Sequence, residues 1–374
     1  MRILHLAKYY WPRSGGMERV IQGLAEGVAE RGHEAEVLAV TAFGDPRPGQ
    51  RRRAAVTRAW SFAPVGTQEL APGYMRAAWK RADIIHLHHP NSLADVTYAM
   101  RVSLAPLVVT QHSDYPSFKY WLPSKYVLWR AEAIVVPSAA HIALSRELRG
   151  FEDKVHVIPH GVAWAPAATA SSHSRPVILT WGLLGPGKGL EWGIRAMALL
   201  DDLDPAPLYR VLGQTHPKVV IDQGEQYRHS LSMLVAELGL KGDVQIDGRY
   251  RESAELAAEV AAADLILLPY DSRDQATSGV LVEAVAAGKL VIATRFPHSI
   301  ELLSRGGGVL VEHESPAEIA AAIRYALADP SRALEAKAVA RESARANSWG
   351  RVAESYKALA SDLAHVGFVG GRAA

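Results

Sequence analysis

The stretch VILTWGLLGPGKGLEW, Val177 to Trp192, decides how this chain is read. Val177 to Trp181 has strand character, Gly182 to Gly189 carries four glycines and a proline, and Leu190, Ile194 and Met197 then recur at helical spacing. Strand, glycine loop and helix follow one another without a break. Such a loop lets backbone N–H groups approach phosphate oxygens closely, and Lys188 adds a point charge at the helix entry. Gly185 and Gly187 are the glycines placed to give that approach. The spacing fits neither the dinucleotide fingerprint nor a Walker loop, so the loop indicates an α/β unit before it indicates a ligand.

The arrangement recurs at two other places. RILHLA, Arg2 to Ala7, leads through Gly15 and Gly16 into a helix with Met17, Val20, Ile21, Leu24 and Val28 on one face and Gly32 as its stop. TSGVLVEAVAAG, Thr277 to Gly288, places Glu283 inside an otherwise apolar helix, with Gln275, Ser278 and Gly279 just upstream. A surface glutamate is the plainer reading. Ala284 to Ala287 make both sides of the helix apolar, however, so the carboxylate needs a partner. Together the three segments predict a cleft between two α/β domains closing on one polyanionic ligand.

Strand candidates alternate with helical patterns on both sides of these segments. Ala35 to Val40, Asp83 to His89, Pro106 to His112, Ala133 to Ser138 and Val155 to Ile158 lack strict polar alternation, as strands buried on both faces do. A second series runs through Leu208 to Gly213, Asp243 to Gly248, Asp264 to Tyr270, Leu290 to Thr294 and Gly308 to Val311. The predicted fold is therefore α/β, with two doubly wound domains. Residues 1–165 form the first, 166–176 a small, polar, proline-bearing linker, 177–346 the second, and 347–374 a final helical segment whose tail frays from Gly367.

A chain of 374 residues exceeds what one core usually fills. Its 41 basic and 39 acidic residues nearly balance, which argues against a nucleic-acid partner. The absence of cysteine removes disulfides, thiol nucleophiles and cysteine metal sites. The opening MRILHLA is too short for a signal core and no apolar run reaches spanning length, so a cytoplasmic protein is expected.

In GGMER (Gly15 to Arg19), VPSAAH (Val136 to His141), VHVIPHGV (Val155 to Val162), the GPGKG loop, the Gln275 to Glu283 segment and NSWGRVAESY (Asn347 to Tyr356), the chain resembles the retaining family 4 glycosyltransferases. The order and spacing of these segments carry the match over most of the chain. The resemblance implies the GT-B fold, in which two Rossmann-like domains face across a cleft and the last helix packs back on the first. It implies transfer of a hexose, such as mannose or glucose, from a nucleotide-diphosphate sugar to a hydroxyl of a glycan, glycolipid or small molecule. The nucleotide sugar is substrate, and no cofactor or metal is implied.

Such a transfer builds negative charge on the departing phosphate, which needs cations and N–H dipoles aimed at it. Lys188 is the prime candidate. The resemblance gives Glu283 the ribose hydroxyls, sets Gln275 near the donor sugar, brings the amides of Ser278 and Gly279 to the sugar or diphosphate, and puts His112 against the transferred ring. It names no protein nucleophile, because the donor phosphate takes the acceptor's proton. Arg249 and Tyr250, and His216 with Pro217, fall where the second domain approaches the nucleotide. Asp114 is a weaker acceptor-side candidate. Two departures stand out: Leu183 occupies the place of an arginine that helps hold the diphosphate, and Gln275 that of a glutamate. A charged hydrogen bond is worth roughly 1.5 to 3 kcal/mol, so Leu183 should weaken leaving-group stabilisation unless Arg249 or His216 moves in. These departures leave open a glycoside phosphorylase or sugar-nucleotide epimerase on the same fold, or a non-catalytic sugar-binding relative.

His86, His88 and His89 invite a metal reading, but no carboxylate or further histidine lies nearby in sequence, and none is assigned. Asp202 and Asp204 precede Pro205 and read as a solvated turn. Phe118 to Arg130 mixes aromatics with Lys119, Lys125 and Arg130, and Arg47 to Arg58 adds five arginines. That pattern suits peripheral contact with anionic lipid at the inner membrane face, or equally a helix with its aromatics packed inward.

Overall fold

The computed structural model describes residues 1–10, 16–41, 53–60, 63–65, 68–70, 81–88, 105–112, 118–162, 173–304, 306–329 and 331–370. The chain divides into two compact units, Met1–Ala163 with Asn347–Ala374, and Trp164–Ala346. Most of the segment expected to link them falls outside the described residues.

The first unit opens with β1 (Arg2–Ala7), α1 (Gly16–Glu30), β2 (Glu34–Thr41) and β3 (Ala55–Trp60). A short antiparallel pair follows, β4 (Ala63–Val65) with β5 (Gln68–Leu70). Then come β6 (Ile84–His88), β7 (Leu107–Thr110), α2 (Phe118–Arg130), β8 (Ala133–Val136), α3 (Ala139–Leu144) and β9 (Val155–Val157). Seven strands form one parallel sheet in the order β3-β2-β1-β6-β7-β8-β9. The apolar runs are central strands: β6, β7 and β8 are buried at every residue. β3 escaped the sequence reading because it is an edge strand, where Thr57 and Arg58 interrupt the apolar pattern; the Thr57 hydroxyl donates to Glu36 on β2 at 2.5 Å.

The second unit contains β10 (Val177–Trp181), α4 (Leu190–Met197), β11 (Leu208–Leu212), α5 (Pro217–Gln223), α6 (Gln226–Glu237), β12 (Val244–Asp247) and α7 (Ser253–Ala262). It continues with β13 (Leu265–Leu268), α8 (Gly279–Ala286), β14 (Leu290–Thr294), α9 (Pro297–Leu303), β15 (Gly308–Val311), α10 (Pro316–Ala328) and α11 (Ser331–Ala346). Its six parallel strands are ordered β12-β11-β10-β13-β14-β15. The chain winds outward from β10 on one side and then returns to start β13 on the other. In such sheets ligands bind beyond the carboxyl ends of the strands at that reversal, here the ends of β10 and β13.

The last helix, α12 (Trp349–Gly370), belongs to the first unit. It continues past Gly367, where fraying was expected. Val352, Ala353, Tyr356, Leu359 and Ala360 share a buried cluster with Ile21, Leu24 and Val28 of α1. Trp349 explains two small residues: a Cβ at Gly23 or Gly161 would come within 2.2 Å of its ring. Among the described residues, no helix is long and apolar enough to cross a membrane.

Candidate active site

The loop after β10 lies against the loop after β13. Gly189 caps α4 in the left-handed conformation at φ 58°, and a Cβ there would sit 1.8 Å from the Pro269 carbonyl oxygen. Only glycine permits this approach. Gly187 accepts from the Asp271 N–H at 3.0 Å and from the Ser272 hydroxyl at 3.3 Å. Gly185 is buried beside Val219 and His216. With the loop so fixed, the Lys188 ammonium stands 4.0 Å from the centroid of the Tyr270 ring, a cation–π contact that holds the charge beside the end of β13. The Trp192 indole N–H donates to Asp271 at 3.0 Å; burial nevertheless raises that carboxyl above its ordinary range. His216 caps α5, its Nδ1 accepting from the Lys218 N–H at 3.1 Å. Burial, then the charges of Lys218 and Lys188, lower its pKa, so it brings no cation to replace the one missing at Leu183.

The same two loops meet again at α8. A Cβ on Gly182 would touch Val280 at 3.5 Å, and the Trp181 indole N–H donates to Glu283 Oε2 at 3.3 Å. That indole, closing β10, is a partner for the half-buried carboxylate. The Ser278 hydroxyl caps α8 by accepting the Leu281 N–H at 3.2 Å. The Ser278 N–H itself donates to His298 Nδ1 at 2.8 Å. This corrects the expectation that the Ser278 amide faces a ligand: a buried imidazole already occupies it. Burial pushes His298 down to about 4, which keeps the ring uncharged and able to accept. The N–H groups of Gly279 and Val280, in the first turn, have no acceptor among the described residues, and Gly279 is exposed. Gln275 donates its side-chain N–H to the Thr277 carbonyl, while its own carbonyl accepts the His298 N–H at 3.3 Å. His298, Trp181, Tyr270 and Asp271 were not singled out in the sequence.

Arg249 follows β12, and its guanidinium pairs with Asp247 at 3.1 Å while remaining 71% exposed. Burial would raise Asp247, but the Arg249 N–H and the Arg251 and Arg249 guanidinium groups hold it down to about 2. The pair is exposed, so it costs little for Arg249 to leave Asp247. Tyr250 beside it is 44% exposed. Asp202 forms a surface pair with Arg324 at 2.5 Å, in keeping with a solvated turn.

In the first unit, Gly16 opens α1 as an exposed residue, while Gly15, His89 and Asp114 lie outside the described residues. His112 lies two residues beyond β7 rather than closing a strand. Its Nδ1 is 3.3 Å from His160 Nε2, and its ring stacks on His88 at 5.9 Å. His88 leads to His86 and His5. Burial holds His5 down to about 4 and His86 and His88 well below their ordinary value, so all three rings are uncharged at neutral pH.

Residues 14–163 match the family model described as Glycosyltransferase Family 4, and residues 165–346 match Glycosyl transferases group 1. The O-antigen chain mannosyltransferase C of Escherichia coli is 30% identical over 171 residues, 43% of this chain and 46% of that protein, so the match spans under half of that relative. The phosphatidyl-myo-inositol mannosyltransferase of Mycobacterium tuberculosis is 26% identical over 341 residues, 86% of this chain and 85% of that protein. Among solved structures, the sucrose-phosphate synthase of Thermosynechococcus elongatus aligns with a TM-score of 0.77 at 21% identity, covering 97% of this chain and 98% of that one. Anabaena HepE in complex with UDP aligns at 0.76 and 20% identity, covering 97% and 100%. With both units matched and the glycine loop, α8 and the returning helix α12 in place, the chain belongs to the family 4 glycosyltransferases and has the GT-B fold.

Proposed function

We propose that this protein is a retaining glycosyltransferase that moves a hexose, mannose or glucose, from a nucleotide-diphosphate sugar to a hydroxyl of a glycan, a lipid-linked sugar or a small molecule. One observation carries the reading: Lys188 in the loop after β10 and, on α8, the Glu283 carboxylate and the Gly279 and Val280 amides, which have no acceptor among the described residues, gather at the chain reversal of a single sheet. An ammonium and helix N–H dipoles stabilise the departing diphosphate, and a half-buried carboxylate accepts from the ribose hydroxyls. Gln275 is an amide and supplies no nucleophile. As the family resemblance implies, the acceptor hydroxyl attacks the anomeric carbon on the face from which the diphosphate departs and gives its proton to the donor phosphate, which preserves the anomeric configuration. His112 is assigned to the transferred sugar, and Arg249 and Tyr250 to the nucleotide.

A thermal-shift screen against nucleoside diphosphates and their sugars tests the reading, since a ligand of the folded state raises the melting temperature by mass action. NMR of the product then reads the anomeric configuration. A protein that no nucleotide stabilises, or an inverted product, refutes it.

Peripheral attachment at the inner membrane face completes the proposal. Leu122 and Trp129 of α2 are 65% and 61% exposed, two turns apart on one helix side, with Lys125 between them. Val127 and Leu128 face inward, so α2 has both a core face and a free apolar one. Sedimentation with anionic vesicles should require Trp129 and be abolished by salt; binding unchanged in Trp129→Ser would count against this face.

A further inference from the structure

The sheet of the first unit buries a histidine cluster that the transfer reaction does not use. His5 on β1 stands opposite His86 on β6 in the parallel register, and His88 lies two residues farther along the same face. No further ligand lies near His86 and His88 in sequence; the fold supplies one from 81 residues away.

We propose that His5, His86 and His88 form a binding site for a divalent transition ion of the zinc class. The three residues are 1%, 2% and 2% exposed, and each offers a ring nitrogen, all within 4.8 Å of one another. His5 Nδ1 and His88 Nε2 are 3.2 Å apart. Two nitrogens each roughly 2.0 to 2.1 Å from a tetrahedral ion stand about 3.3 Å apart, so little movement is needed to share one. Between them His5 and His88 make one hydrogen bond, and His5 Nε2 and His88 Nδ1 have no hydrogen-bond partner among the described residues.

The surroundings suit the purpose. His86 Nε2 is 2.7 Å from the Thr110 hydroxyl, which is 2.9 Å from the Tyr356 hydroxyl on α12, an outer chain that orients the ring. A cavity of about 10 Å³, the size of one water, is lined in part by His5, His86 and Tyr356. Three imidazoles leave a fourth position for water, and the choice of imidazole over carboxylate favours zinc or cobalt over magnesium or calcium. The ion would tie β1 to β6 and stiffen the strand that carries His88, on which His112 stacks.

The full-length protein, stripped with a chelator and titrated with Co²⁺ alone, tests the site. One ion per chain is expected, with the visible absorption of a low-coordinate Co²⁺ centre, together with a higher melting temperature in Zn²⁺. His5→Gln and His88→Gln should each weaken Co²⁺ binding by about tenfold or more, since even outer-shell changes cost that much. His229→Gln, on an exposed position of α6, should leave it unchanged. X-ray absorption of the zinc-loaded wild type reads the ligands without any variant, and three imidazole nitrogens at about 2.0 Å are expected. No uptake of either ion, binding that survives both substitutions, or a shell of oxygen ligands overturns the proposal.

Discussion

Replacing His298 by asparagine isolates a single buried titration. In the folded protein this imidazole is 5% exposed and held to about 4 by burial, whereas an unfolded chain carries it near 6.5. As pH falls below 6.5 the unfolded chain takes up the proton first. The stability that the uncharged ring confers is therefore complete above that pH, declines as the solution is acidified, and is gone below about 4. The gap between the two values corresponds to about 3.4 kcal/mol in the limit, and to about 2 kcal/mol between pH 8 and pH 5. Asparagine retains an acceptor for the Ser278 N–H but cannot titrate. At pH 8 the variant should be less stable by about 1 to 3 kcal/mol, from poorer hydrogen bonding and lost packing. Denaturant unfolding of the full chain at both pH values measures the difference, and the wild type's advantage should shrink by about 2 kcal/mol at pH 5. Parallel pH profiles for the two proteins would refute the assignment of an uncharged, amide-accepting His298.

Lys188→Ala should lower kcat/KM by roughly 10- to 150-fold, the rate equivalent of a charged hydrogen bond of about 1.5 to 3 kcal/mol, while leaving the melting temperature nearly unchanged; steady-state kinetics with a nucleotide-sugar donor check it. Glu283→Gln should weaken nucleoside diphosphate binding, measured by calorimetry, more than it weakens binding of inorganic diphosphate, because the change falls on the ribose. Gly189→Ala should unfold the second unit or strip it of nucleotide binding, since its methyl group collides with the Pro269 backbone; circular dichroism and the thermal-shift response distinguish it from a folded, active protein.

The strands were legible because each is a short apolar run flanked by turn residues: β1, β10, β14 and β15 begin and end where the runs do. β3, β4 and β5 were not: Thr57 and Arg58 interrupt the apolar pattern of the first, and the other two are three-residue strands too short to show one. Lys188 and Glu283 stood out as charges beside glycine or inside an apolar helix. Their supports did not. Trp181 reaches Glu283 across 102 residues and His298 reaches Ser278 across 20, and nothing local marks either pairing. Gly189 looked interchangeable with its neighbours, because its necessity comes from the carbonyl of another strand's exit. The histidine trio was half visible, with two members in one motif and the third on a strand whose neighbour only topology reveals.

The docking of Trp349 against Gly23 and Gly161 fixes an order of events during synthesis. The groove along Ile21, Leu24 and Val28 is made by the beginning of the polypeptide, but the helix that covers it leaves the ribosome only after the entire second unit. The unit that emerges first is thus the last to be finished, and until then a nascent chain carries bare apolar surface on which chaperones can act. A break anywhere between the two units, or loss of the residues that follow Asn347, therefore damages the opposite end of the polypeptide first.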